Sequence, residues 1–189
     1  MNKIHLKSEI LVLKPINISD LEKIHALHSL PETDEFNALG IPENIEQTQA
    51  IIENWIAENQ KEKNQIFTFL INFQNQFIGL ISLNLGKEKY KNAEVWYKIH
   101  IDFWNKGFAT EALKTIINFG FNELHLHRIT AGCAVKNIGS IRVLEKVGMT
   151  LEGRKRQNLP LKTGWSDNFE YAILETDFKI YYLEKLQTK

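Results

Sequence analysis

Residues Glu94 to Phe121 read EVWYKIHIDFWNKGFATEALKTIINFGF. From Glu94 to Asp102 the chain alternates. Val95, Tyr97, Ile99 and Ile101 fall on one face, and Glu94, Trp96, Lys98 and His100 on the other. Aromatic and β-branched residues at period 2 predict a strand. Ala109, Ala112, Leu113, Ile116, Gly120 and Leu124 then recur at helical spacing and predict an amphipathic helix. Between the two lies Trp104-Asn105-Lys106-Gly107-Phe108-Ala109. A strand that turns through small residues into a helix leaves the helix's first N–H groups unpaired. Those donors and the helix dipole make an anion site suited to a phosphate or pyrophosphate. Gly107 and Ala109 are small enough to let the backbone approach such an anion. The loop lacks the Gly-Lys-Ser/Thr order of a Walker motif and the three glycines of a dinucleotide fingerprint.

Working outward, the 189 residues suffice for one domain, 1–189, with a sizeable core. Lys+Arg and Asp+Glu are 23 each, so the net charge is zero. That balance argues against a nucleic-acid partner held by bulk electrostatics. It is compatible with a monomer or a homodimer. The single cysteine, Cys133, excludes an internal disulfide and suits a reducing compartment. The N-terminus MNKIHLKSEI has no apolar core for a signal peptide. No apolar run approaches the roughly 20 residues of a membrane helix, so the expected location is cytoplasmic.

Along the chain, Ile10 to Leu13 predicts an edge strand before Pro15. Ser19 is the expected N-cap of a helix carrying Leu21, Ile24, Leu27 and Leu30, which Pro31 stops. Glu32, Asp34 and Glu35 read as a solvated loop, or as a negative rim for a cationic amine. A second helix carries Ile45, Thr48, Ile52, Trp55 and Ile56. Ile66 to Phe73 and Gln76 to Leu85 form a hairpin that leads into the Glu94 strand. After the central helix come a strand from Arg128 to Val135, a helix opened by Asn137 and closed by Gly148, and a strand from Leu151 to Arg156. A polar loop from Gln157 to Gly164, a last strand from Trp165 to Leu174 and a helical segment from Phe178 to Leu186 complete the chain. The expected fold is α/β (α+β). Seven strands form a mixed, mostly antiparallel sheet flanked by helices, with one parallel pair around the central helix.

The run Phe-Trp-Asn-Lys-Gly-Phe-Ala-Thr-Glu-Ala resembles the acyl-CoA motif of the GCN5-related N-acetyltransferase (GNAT) family, (Gln/Arg)-x-x-Gly-x-(Gly/Ala). Trp104 replaces the first residue of the general motif, as in the ribosomal-protein N-terminal acetyltransferase branch. Asn137 to Met149, NIGSIRVLEKVGM, is similar to the same branch's Asn-x-x-Ser-x-x-Val-Leu-Glu-Lys-x-Gly-Phe block. The resemblance implies the GNAT fold over nearly the whole chain. It also implies acetyl-CoA as cosubstrate, no metal and an amine acceptor, either a protein N-terminus or a small molecule.

The resemblance also assigns roles. Backbone N–H groups near Ile99 and Ile101 would bind the pantetheine arm and polarise the acetyl carbonyl. Those of Lys106, Gly107, Phe108, Ala109 and Thr110 would hold the pyrophosphate. Asn137 would touch pantetheine as well as capping its helix. Many family members carry a tyrosine as the leaving thiolate's acid where this chain has Leu144. Ser140 is the branch's substitute, as a hydrogen-bond donor to the sulfur. An α-amine, with pKa about 7.7–8, needs far less help to lose its proton than a lysine amine near about 10.4. Glu94 is the candidate base, directly or through water, or else a surface carboxylate paired with Lys98. Cys133 has no visible base and receives no role. Asp167 and Tyr171 match branch positions and are expected in a structural network on the last two strands, the alternative being a place at the border of the acceptor groove. The acceptor is expected among the loops Leu30 to Asn44 and Gln157 to Gly164.

Overall fold

The computed structural model describes residues 4–61 and 65–180. They form one mixed sheet of eight strands in the order β1-β2-β3-β4-β5-β6-β8-β7. The strands are β1 (Leu6–Lys7), β2 (Leu11–Pro15), β3 (Ile66–Phe73), β4 (Gln76–Leu85), β5 (Asn92–Ile99), β6 (Arg128–Ala134), β7 (Thr150–Leu161) and β8 (Gly164–Leu174). The helices are α1 (Leu21–His28), α2 (Pro31–Asp34), α3 (Ile45–Gln60), α4 (Phe108–Asn122) and α5 (Ile138–Lys146). Residues 175–180 are helical, and the rest of the expected C-terminal segment lies outside the described residues. No described helix is long and apolar enough to cross a membrane.

The eighth strand is β1, which pairs Leu6 with Leu13 and Lys7 with Val12. Two residues are too few to show a period. The first helix is entered through Asn17 rather than Ser19. Asn17 accepts from the Ser19 N–H, and Asp20 Oδ2 accepts the Asn17 N–H at 2.8 Å. Pro31 does not only stop α1; it opens α2, where its missing N–H costs nothing. Asp34 therefore sits at the end of a helical turn and is 4% exposed, not on a solvated rim. Gln157 to Gly164 is not a loop either. β7 runs on to Leu161 and pairs with β8 across an irregularity between Lys155 and Leu159.

Each face of the sheet carries its own core. Ile71, Ile81, Leu83, Val95 and Ile99 pack on one side against Phe108, Leu113 and Ile116 of α4 and Leu144 of α5. Leu70, Leu80 and Trp96 pack on the other side against Ile24 and Leu27 of α1 and Ile52 and Trp55 of α3. The alternation of β5 is thus real, but its Trp96–Lys98 face covers a second core rather than meeting water.

β5 and β6 are parallel and pair only over Asn92–Glu94 and Arg128–Thr130. Beyond that point β6 continues beside β8, and β5 beside β4. The two strands therefore part, and the sheet opens in a V with Glu94 at its vertex. α4, the crossover between them, begins at the open end.

Candidate active site

The V has a polar inner edge because of strand alternation. The His100 N–H bonds the Ile78 carbonyl, and the Asn92 carbonyl takes the Gly86 N–H, so even-numbered residues of β5 serve β4. Period 2 then turns the N–H groups of Val95, Tyr97 and Ile99 toward the gap. The Ile99 carbonyl on that edge accepts a 2.7 Å hydrogen bond from Trp104 Nε1. Trp104 thus ties the following loop to β5. Ile101 departs from expectation. The strand ends at Ile99, and Ile101–Phe103 forms a single 3₁₀ turn capped by His100, whose Nδ1 accepts the Asp102 N–H.

The loop ends at Gly107, whose φ of +83° is cheap only for glycine. It is the N-cap of α4 and supplies no capping side chain. The first intrahelical bond is Glu111 N–H to the Gly107 carbonyl. The N–H groups of Phe108, Ala109 and Thr110 precede it, and no side chain caps them among the described residues. Nothing lies within 4 Å of a Cβ placed on Gly107, so the space in front is open. The Phe108 ring turns inward against Phe73 and Phe103. The Lys106 ammonium donates to the Asp102 carbonyl at 2.7 Å and lies over the Phe103 ring, which holds it on the loop. Unclaimed donors, open space and a nearby cation together fit a diphosphate.

Across the V, Asn137 caps α5 by accepting the Ser140 N–H at 3.0 Å. One turn into the helix, Ser140 Oγ lies 2.9 Å from the Tyr97 hydroxyl of β5. Burial pushes the Tyr97 phenol up to about 12, the hydrogen bond with Ser140 acting the other way, so it remains a donor at every physiological pH. Leu144, at the family's tyrosine position, is 1% exposed and belongs to the core. Tyr97 was overlooked in the sequence as chemistry because its period-2 position marks it as a core residue. Burial also pushes the Cys133 thiol up to about 11, which makes a poor nucleophile at neutral pH.

Glu94 is exposed at the vertex and does not pair with Lys98. Lys98 is 7% exposed, and its Nζ has no hydrogen-bond partner among the described residues. Burial brings its ammonium down to about 8, with Asp34 acting in the opposite direction. His28 is 2% exposed, and burial, with Lys98 and His25 nearby, lowers it to about 4. Among the described residues, both Asp34 Oδ1 and His28 Nε2 lack hydrogen-bond partners. The sequence signal for this buried group was Trp96, an aromatic on the supposedly polar face, and Trp55, which it meets at 5.6 Å between ring centroids.

Asp167 and Tyr171 both take part in side-chain hydrogen bonds on the last two strands and α5. Arg154 donates to Asp167 Oδ2 at 2.7 Å, and Asp167 Oδ1 takes the N–H of Gln157, whose φ is +47°. The Tyr171 hydroxyl reaches Glu145 Oε1 at 3.4 Å. A cavity of about 410 Å³ lies between residues 34–41 and 160–162, within the two segments where the acceptor was expected.

A split parallel pair with an uncapped helix N-terminus at its mouth is an anion site of a shape that suits a diphosphate-bearing ligand. Residues 11–150 match the model of the acetyltransferase (GNAT) domain, and the chain belongs to that family. The N-acetyltransferase YoaA of Bacillus subtilis is 32% identical over 90% of this chain and 96% of its own. The crystal structure of a GNAT-family acetyltransferase from Bacillus anthracis has a TM-score of 0.79 at 27% identity, covering 92% of this chain and 99% of its own. Two further structures share the fold at 22% identity. RimL, a ribosomal α-N-protein acetyltransferase solved with coenzyme A, has a TM-score of 0.82 and covers 90% of this chain and 98% of its own. The spermidine N-acetyltransferase of Vibrio cholerae, solved with CoA and spermine, has a TM-score of 0.81 and covers 90% and 99%. The chain is an acetyl-CoA-dependent N-acetyltransferase.

Proposed function

We propose that this enzyme acetylates the N-terminal α-amine of a protein, by direct transfer with both substrates bound together. Acetyl-CoA supplies an activated acetyl carbon as its thioester. The N–H groups of Phe108, Ala109 and Thr110 hold the diphosphate, with Gly107 and Lys106 shaping that turn. The inward N–H groups of β5, among them that of Ile99, bind the pantetheine arm, and Asn137 borders it. The Ser140 hydroxyl, backed by Tyr97, donates to the sulfur as negative charge develops there. Glu94, at the vertex, takes the amine's proton through water.

The observation that carries this reading is the Tyr97–Ser140 hydroxyl pair spanning the gap between β5 and α5. It provides a donor for the leaving group where, among the described residues, the one cysteine is held protonated by burial and no activated nucleophile stands beside the gap. An α-amine suits so modest a machinery, because much of it is already neutral near pH 7.7–8. RimL, which acts on a protein α-amine, supports the choice of acceptor. Thiol release from acetyl-CoA, followed with peptides bearing free N-termini and with free amino acids, polyamines and amino sugars, tests it. Faster turnover of peptides is expected. Turnover of small amines alone would overturn the protein-acceptor assignment, and turnover of neither would overturn the enzyme's proposed chemistry.

A further inference from the structure

Three ionisable side chains lie buried together on the α1 and α3 side of the sheet, and none takes part in the chemistry derived above. His28 ends α1, Asp34 ends α2 and Lys98 stands on β5. Each has an inaccessible polar atom with no hydrogen-bond partner among the described residues. Burying ionisable groups in this way is costly, so the elements that bury them are weakly seated.

The seating is thin by other measures as well. Of the four residues of α2 only Asp34 is buried, and none belongs to either core. Thr33 Oγ1 donates to the carbonyls of Leu27 and Leu30 at 2.9 and 3.0 Å, which ties α2 to α1 as one piece. That piece reaches the core through Ile24 and Leu27 of α1, and only the smaller core, the one away from α4. Segments with few apolar contacts are those that open locally, without global unfolding.

We infer that α1 and α2 form a cover over β5 that opens as a unit and takes up protons as it does, on His28 and Lys98. The inference is independent of the acetyl-transfer reading. Opening returns both groups to water. His28 titrates near 4 when covered and near 6.5 when free, and Lys98 near 8 when covered and near 10.5 when free. Both bind protons more tightly in the open form, so falling pH favours opening. Lys98 acts between 10.5 and 8, and His28 between 6.5 and 4. The ionisable neighbours modulate this. His25, hydrogen-bonded to Thr48 of α3, opposes a proton on covered His28, as Lys98 does. Asp34 supports the Lys98 ammonium without a hydrogen bond to it. α3 meets the cluster with Trp55, whose ring centroid lies 6.1 Å from that of His28. The open form bares the face of β5 one residue from Tyr97 and leaves the start of α4, across the sheet, in place.

Hydrogen exchange of the full chain tests this, read by mass spectrometry on peptides from residues 21–34 and 108–122 and corrected for intrinsic rates. Between pH 6.5 and about 4.5 the protection of 21–34 is expected to fall about tenfold or more, with that of 108–122 kept within about twofold. His28→Gln is expected to flatten the fall. Lys98→Met is expected to raise the protection of 21–34 at neutral pH about tenfold or more, because no ammonium then has to lose its water. A parallel loss in both segments would overturn the inference, since the opening would then be global. So would constant protection of 21–34 in the wild type, an undiminished fall in His28→Gln, or unchanged protection in Lys98→Met. Should one variant not fold, the wild-type comparison and the other variant decide.

Discussion

The hydroxyls of Tyr97 and Ser140 lie 2.9 Å apart although 43 residues separate them in the chain. One belongs to β5 and the other to α5, so their contact closes the gap that the parting of β5 and β6 opens. If this pair serves the departing thiolate, Ser140→Ala lowers kcat by about tenfold or more, near 1.4 kcal/mol, and leaves acetyl-CoA affinity largely intact. Tyr97→Phe has a similar effect. The double variant is less impaired than the product of the two, because the groups act as one unit. Stopped-flow or steady-state thiol release on the four proteins measures this. An unchanged kcat in Ser140→Ala removes the pair from the chemistry.

Trp104 occupies the position where the family motif has Gln or Arg, and its indole N–H holds the Ile99 carbonyl at 2.7 Å. Trp104→Phe keeps the ring and loses that bond. We expect a stability loss of about 1 kcal/mol and an acetyl-CoA affinity about tenfold weaker, because the loop carrying the diphosphate donors is no longer tied to the strand carrying the pantetheine donors. Denaturant unfolding and calorimetry report the two effects separately. Unaltered affinity would mean that the loop holds its shape without the indole.

Burial of His28 predicts a particular acid sensitivity. Its folded value near 4 lies below the ordinary 6.5, so the unfolded chain takes up the proton first. The stability is complete above about pH 6.5 and drains away as pH falls toward 4, by about 3 kcal/mol in all. His28→Gln lacks this component, so its unfolding free energy falls less over the same interval. Lys98 acts at the other end. Its folded value near 8 lies below 10.5, so stability grows as pH rises from 8 toward 10.5. Urea unfolding at stepped pH tests both limbs. Parallel curves for the wild type and His28→Gln would show that His28 is not shielded from protons.

Much of this architecture was legible in the sequence because it follows local periods. β5 and α4 declare themselves through the alternation of Val95, Tyr97 and Ile99 and the spacing of Ala112, Leu113 and Ile116. Asn137 and Gly148 mark the ends of α5 through chemistry confined to one turn, Gly148 with a φ of +85°. The uncapped start of α4 follows from Gly107 itself. What was hidden depends on partners distant in the chain. Lys98 is buried because α1 and α3 cover its face of β5, and no local pattern distinguishes that from a solvated lysine. Asp34 looked like part of an acidic loop because three carboxylates stand close together there. Only the far end of the β7–β8 hairpin, Gln157 to Gly164, looked like a loop, because that stretch is mostly exposed and polar and shows neither period.

Binding of acetyl-CoA to Gly107 variants reaches the central claim most directly. At a φ of +83° any side chain is strained, so Gly107→Ala measures the strain and Gly107→Asp adds a negative charge in the open space before α4. Calorimetry should find tight binding by the wild type, weaker binding by Gly107→Ala and no measurable binding by Gly107→Asp. Equal affinity in the two variants would contradict the placement of the diphosphate on the N–H groups of Phe108, Ala109 and Thr110.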